Sequence, residues 1–213
     1  MAEFFDCTDP TELEHGLTAA ELAVKNGRLV VLPTDTVYGV GADAFSAAAV
    51  TALLAAKNRG RAMPVPVLIG EAVTMSGLTQ DVPQNARDLA QAFWPGGLTL
   101  VVEHAPSLAW DLGDAEGTVA LRVPDDEVAR ALLRRTGPMA VSSANRSGRP
   151  TPATAREAAE QLDRHVDVVL DAGPRAGTGA STIVDCTGTV PRVLRVGAVP
   201  VDRLREIVPE ITD

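Results

Sequence analysis

Apolar positions along the chain fall into two rhythms. "TELEHGLTAAELAVKNG" (11–27) repeats apolar residues at helical spacing, opens with Thr11 and Glu14 at capping-box distance, and stops at Gly27. The continuous apolar run "RLVVLPT" then predicts a buried strand. "SAAAVTALLAAKN" predicts a helix with Ser46 as its cap. "VPVLIG" predicts a short strand, which Pro66 confines to an edge or an irregular position. "PQNARDLAQAFW" predicts a helix with Pro83 near its first turn. "LTLVVE" and "TVALRVP" read as strands, and "DDEVARALLRRTG" as a helix with acids first, arginines last and Gly137 beyond. After the strand "PMAVS" comes the helix "TAREAAEQLDRHV", with Thr154 and Glu157 at capping-box distance. The strands "DVVLDAG", "STIVDC" and "RVLRVG" and a short helix "VDRLREIV" finish the pattern.

Strands and helices interleave throughout, which predicts an α/β protein with helices flanking one sheet. Several strands follow one another with no helix between, so the sheet is expected to mix parallel and antiparallel pairs. Neither a repeat nor a linker interrupts the pattern, and a single domain over residues 1–213 is expected.

Composition narrows the function classes. No apolar run approaches the roughly 18 residues needed to cross a bilayer, and "MAEFFDCTDP" lacks a basic leader, so no membrane association and a cytoplasmic location are expected. Cys7 and Cys186 form no CxxC pair, and His15, His104 and His165 are scattered, so no metal site is expected. The net charge of −9 argues against a broad basic face for nucleic acid. Any cationic site must be local, and Lys57 is one of only two lysines.

Four polar stretches sit where strands end, the usual place for ligands in open α/β sheets. "LPTDTVYGVGADA" (32–44) reads as a decorated loop, with Gly39 and Gly41 permitting tight turns or close approach to a ligand. "KNRGRAMP" (57–64) puts Lys57, Arg59 and Arg61 within five residues. Basic residues suit a helix C-terminus, but three together in an acidic chain also suit an anion site for phosphate, carboxylate or bicarbonate. In "GTVALRVP", Arg122 alternates with Leu121 and Val123, so it faces away from the core, either to solvent or into a cleft. "VSSANRSGRP" (141–150) offers hydroxyls and an amide that donate and accept at once, as an amino acid or a nucleotide requires. The chain has no GxSxG elbow, no GxxxxGK[ST] loop and no GxGxxG, so any ATP binds without a P-loop.

In this order "PTDTVYGVGADA", "KNRGRAMPV", "FWPGGLTLVV", "VALRVP", "SSANRSGRPTP", "STIVD" and "RVLRVG" resemble the YrdC-like family of threonylcarbamoyl-AMP synthases, over about residues 15 to 200, in its short single-domain form. The resemblance implies a YrdC-like fold, a twisted mixed sheet with a ligand groove at the strand ends. It implies condensation of L-threonine, bicarbonate and ATP, with Mg2+ accompanying the triphosphate. The product would pass to a downstream complex that transfers the threonylcarbamoyl group to tRNA, with a transient tRNA contact by this chain as a further implied partner. Matched residue by residue, Lys57 and Arg59 lie near the phosphates and the carboxylated intermediate as the catalytic pair. Thr36, Arg122, Ser143 and Ser181 bind L-threonine, with Arg122 on its carboxylate. Arg59, Thr118, Asn145, Arg195 and the backbone of Ala153 contact ATP. Two positions depart from the family pattern: Met63 stands where many members carry a second lysine, and Leu68 where some carry a histidine. Arg61 could replace the missing lysine's charge. Two other readings stay open: a non-catalytic RNA-binding module, and a carbamoyl-adenylate enzyme of another pathway.

Overall fold

A computed structural model describes residues 2–175 and 179–213. Ten strands form one sheet: β1 (Glu3–Asp6), β2 (Leu29–Leu32), β3 (Gly39–Asp43), β4 (Val67–Leu68), β5 (Leu98–Glu103), β6 (Thr118–Arg122), β7 (Met139–Ser143), β8 (Val166–Asp171), β9 (Thr182–Asp185) and β10 (Arg192–Arg195). Their order across the sheet is β1-β8-β2-β3-β7-β4-β6-β5-β9-β10. The pairs β1/β8, β2/β8, β4/β6 and β5/β9 are parallel and the other five antiparallel, so the sheet is mixed, as the pattern predicts. The helices are α1 (Pro10–Lys25), α2 (Ala47–Ala56), α3 (Met75–Leu78), α4 (Gln84–Phe93), α5 (Glu127–Thr136), α6 (Ala155–Leu162) and α7 (Val201–Ile207). None is long and apolar enough to cross a membrane.

Strand alternation divides the core between the two faces. On one face Val31, Val40, Val67, Leu98, Leu100, Leu121 and Val184 pack with apolar residues of α2, α3, α4, α6 and α7. On the other, Val30, Leu32, Leu68, Met139, Val141, Val168 and Leu170 pack under Leu17, Ala20 and Val24 of α1 and Leu132 and Leu133 of α5. This second cover reaches only the half of the sheet that ends at β4. Over β6, β5, β9 and β10 that face carries no helix among the described residues, and Thr118, Ala120, Arg122, Thr99, Val101 and Ile183 are among the residues pointing out of it.

Several elements depart from the predicted pattern. Helix α1 starts one residue earlier than Thr11. The Asp9 carboxylate accepts from the N–H groups of Thr11 (2.8 Å) and Glu12 (3.0 Å), and Pro10, which has no N–H to satisfy, sits in the first turn. The capping box of α6 forms as predicted between Thr154 and Glu157, but the helix ends at Leu162 rather than continuing to residue 166. Strand β1 carried no signal of its own. The larger correction concerns residues 39–43, read as loop and found as the central strand β3, flanked by β2 and β7. Here Gly39 and Gly41 serve packing rather than turning. A Cβ on Gly39 would lie 2.7 Å from Val141 Cγ1, and one on Gly41 2.7 Å from Met139 Cε. The side chains of β7 lie across the bare backbone of β3.

Tyr38, at the entry to β3, is fully buried. Its hydroxyl donates to the Gly173 carbonyl (2.7 Å), accepts from the Ala172 N–H (3.1 Å) and lies 3.2 Å from Asp171 Oδ1, while the Arg175 guanidinium stands 5.7 Å over its ring. Burial pushes the phenol up to about 12 and does the same to the thiols of Cys7 and Cys186.

Two predictions follow from these contacts. Gly39→Ala drives a methyl into the stiff Val141 side chain and is expected to destabilise the fold by about 2 kcal/mol. A lower urea midpoint at constant m-value checks this; an unchanged midpoint refutes the packing account. The second concerns alkaline stability. Cys7, Cys186 and Tyr38 keep in the fold protons that their free forms lose near 9.0, 9.0 and 10.0, so their stabilisation is present below those values and is lost as pH rises towards 12. Lys57 acts with opposite sign, because burial lowers it from 10.5 to about 8 and stability therefore rises over that interval. Two thiols outweigh one lysine, so the net loss is expected to begin near 9.0 and to steepen above 10.5, and Tyr38→Phe should make it shallower by about one proton above 10.0 in denaturation curves.

Candidate functional site

A cavity of about 520 Å³ occupies the uncovered half of the sheet face. Its floor is made of strand residues, among them Thr99, Val101, Ala120, Val141 and Ile183. Its polar groups sit at strand ends: Thr36 before β3, Thr118 and Arg122 at the two ends of β6, Ser143 at the end of β7, and Ser181 just before β9. The groove therefore combines the expected strand-end rim with a floor that is the sheet itself. One wall is the segment 59–66, with Arg59 and Met63; adjoining it is the β5–β6 connection, with Leu112 and Ala115. These walls are joined by hydrogen bonds from the Val65 N–H to the Leu112 carbonyl (2.9 Å) and from the Asp114 N–H to the Arg61 carbonyl (3.0 Å). Trp110 stacks on Phe45 at 5.6 Å and anchors the second wall to the body.

Seven of the ten residues singled out from the sequence line this one cavity: Thr36, Arg59, Thr118, Arg122, Ser143, Ser181 and Arg195. Arg122 is buried and held on three sides. Its Nε donates to the Gly96 carbonyl (2.9 Å), Nη1 to Thr36 Oγ1 (3.0 Å) and Nη2 to Asp35 Oδ1 (2.6 Å). Burial lowers the guanidinium's pKa from its ordinary value, and Asp35 opposes that shift. Arg59 donates from Nη1 to Ser142 Oγ (3.1 Å), and from Nε and Nη2 to the carbonyls of Met63 and Pro64 (3.0 Å each). Arg195 donates twice to the Ser181 carbonyl (3.0 and 2.8 Å) and once to Ser181 Oγ (3.1 Å), which is also 2.8 Å from Thr99 Oγ1.

The charges are not balanced evenly. Arg122 has a carboxylate partner; no carboxylate among the described residues pairs with Arg59 or Arg195. Burial lowers both, and Arg59 is lowered further by Arg195. Two guanidiniums that repel each other inside one cavity have the chemistry to receive an anion.

The other three candidates lie outside the lining. Lys57 is buried, and its ammonium donates to the carbonyls of Ser143 and Asn145. Asn145 uses both amide protons on the Arg146 and Arg149 carbonyls (3.0 Å each), and its buried Oδ1 has no partner among the described residues. The backbone of Ala153 is engaged on both sides: its N–H donates to Glu157 Oε2 (2.8 Å) and its carbonyl accepts from the Arg175 N–H (2.8 Å). Arg61 is a correction to the basic trio. It is half-exposed, bonds Asp111 (2.5 Å), and clasps the two walls instead of facing the cavity.

Three groups escaped the sequence reading. Asp35 had been counted only as part of a polar stretch, yet it holds Arg122 and also accepts from the Asp125 N–H (3.0 Å). Ser142 anchors Arg59. Thr99 was legible, because a threonine between Leu98 and Leu100 must face away from the core. Among the described residues there is no cluster of three or more His, Cys, Asp or Glu able to hold a metal.

Comparison with known proteins identifies the family of the chain. Residues 22–197 match the sequence model of the Sua5/YciO/YrdC family, whose description reads telomere recombination. A Mycobacterium tuberculosis protein provisionally named threonylcarbamoyl-AMP synthase is 58% identical over 97% of this chain and 95% of its own length. The threonylcarbamoyl-AMP synthase of Bacillus subtilis is 34% identical over 98% of this chain and 61% of its own. The crystal structure of Pyrococcus abyssi Sua5 complexed with L-threonine superposes with a TM-score of 0.91 at 32% identity, covering all of this chain and 62% of that one. The chain belongs to the Sua5/YciO/YrdC family.

Proposed function

We infer that this chain is an L-threonylcarbamoyladenylate synthase, a nucleotidyltransferase acting as a single domain. It condenses L-threonine, bicarbonate and ATP to threonylcarbamoyl-AMP and pyrophosphate. The observation that carries the reading is one cavity that holds a carboxylate-paired Arg122 among hydroxyls together with two guanidiniums, Arg59 and Arg195, that have no acidic partner among the described residues. The first group suits an amino acid and the second a polyphosphate. The threonine complex of the Pyrococcus abyssi relative supports the amino-acid half of the assignment.

In this reading Arg122, fixed by Asp35 and Gly96, presents its remaining N–H groups to the threonine carboxylate. Thr36, Ser143 and Ser181 bond the rest of the amino acid. The threonine amine adds to bicarbonate with loss of water, and the carbamate so formed is short-lived in bulk water, which the enclosed apolar floor excludes. A carbamate oxygen then attacks the α-phosphorus, and pyrophosphate leaves. Arg59 and Arg195 neutralise the charge that develops on the phosphates, Thr118 orients the nucleotide, and Asn145, outside the lining, shapes the loop behind Ser143. The described lining contains hydroxyls but no carboxylate, so a Mg2+ ion would enter held by the triphosphate oxygens and water. The product is an activated acyl group for a transfer complex that modifies tRNA, and a cytoplasmic reaction is part of the same proposal. A non-catalytic RNA-binding module would present its cations on an open face; here they converge inside a cavity.

Incubation with labelled bicarbonate, threonine and ATP is expected to yield labelled threonylcarbamoyl-AMP, with pyrophosphate release that depends on threonine. Release independent of threonine, or none, overturns the reading. Arg122→Ala should raise the threonine KM by about 10- to 100-fold, the value of one or two charge-assisted hydrogen bonds, and the ATP KM by less than about threefold. Equal losses for both substrates would show that the assignment of Arg122 to threonine is wrong.

A further inference from the structure

Lys57 closes α2, and its buried side chain lies outside the lining of the cavity. It is 2% exposed, and its shifted pKa traces to burial and to Arg59, with no acid contributing. A buried ammonium without a counterion is costly, and an apolar side chain of the same length would fit the site without that cost. What the ammonium provides is a set of donors. Two of its three N–H groups go to the carbonyls of Ser143 and Asn145, and its own carbonyl accepts from the Ser147 N–H (2.8 Å). One residue thus holds three points of a five-residue turn. That turn carries Ser143 into the cavity wall and ends in a loop laced internally by the amide of Asn145. From the other side Arg59, two residues further along, grips Ser142.

We propose that Lys57 is a positioning residue for this reaction, holding the main chain of the Ser143–Asn145 turn in place rather than contacting substrate. The proposal rests on the synthase reading for its consequence: because Ser143 is assigned to threonine and the adjoining Ser142 anchors Arg59 on the phosphate side, loosening the turn weakens both ligands together. A lysine touching phosphate would affect ATP alone.

The two roles separate with Lys57→Gln and Lys57→Met. Both remove the charge, but glutamine keeps two N–H donors for the two carbonyls and methionine keeps none. Calorimetric titration with ATP and with L-threonine, each alone, is expected to show Lys57→Met weakened for both by about tenfold or more, with Lys57→Gln within about threefold of wild type. Loss of ATP binding in both variants with threonine binding intact overturns the proposal. If Lys57→Met does not fold, Lys57→Gln decides by the same criterion against wild type. Amide hydrogen exchange over residues 143–149 in the ligand-free protein gives an arm independent of function. It is expected to quicken in Lys57→Met and to stay near wild type in Lys57→Gln, and unchanged exchange in Lys57→Met overturns the proposal. A wild type that binds neither ligand would refute the synthase reading and leave the exchange measurement to decide this one.

Discussion

A ten-stranded sheet has two faces to shield from water, and here only one is covered by helices along its whole length. Helices α1 and α5 close the other face as far as β4 and no further. Everything that makes a site possible follows from this shortfall. Strand residues that would otherwise pack against a helix, such as Thr99, Val101, Ala120 and Ile183, become the floor of a cavity. An open apolar sheet of that extent would invite association, so two connections fold over it as walls. They are held to each other by backbone hydrogen bonds and the Arg61–Asp111 pair, and to the body by Trp110 against Phe45.

Within that cavity the three arginines differ in how their charge is balanced. Arg122 carries its own counterion, so its guanidinium is fixed in place and a ligand carboxylate meets a geometric fork rather than a bare charge. Arg59 and Arg195 are fixed by carbonyls and hydroxyls, which orient them without neutralising them. The net charge of −9 and a strongly cationic pocket are therefore compatible, because what an anionic ligand meets is set by the groups facing the cavity.

Much of this was legible in the chain because strand periodicity is strict. Arg122 between Leu121 and Val123 had to leave the core side of its strand, and the structure puts it in the cavity. What stayed hidden depended on partners distant in sequence. Strand β3 was lost because Gly39 and Gly41 look like turn residues, and only the side chains of β7 lying across them explain their absence of a Cβ. The basic run 57–61 looked like one anion site. Its members diverge because Asp111 draws Arg61 outward, the carbonyls of Ser143 and Asn145 draw Lys57 inward, and Arg59 alone reaches the cavity.

These three fates share a physical reason. A helix C-terminus exposes unpaired carbonyls and favours cations nearby, so local preference gives no ground for separating Lys57, Arg59 and Arg61. Only desolvation distinguishes them. Arg61 remains half-exposed against an acid at little cost, whereas Lys57 is buried and Arg59 partly buried with no acid beside them among the described residues, and desolvation depresses both. Folding alone gives no reason to retain two such desolvated cations, since apolar residues would pack there more favourably. Positions where stability is sacrificed without local compensation are where function is expected to be supported. In this fold both flank the Ser142–Asn145 turn, one at its hydroxyl and one at its carbonyls.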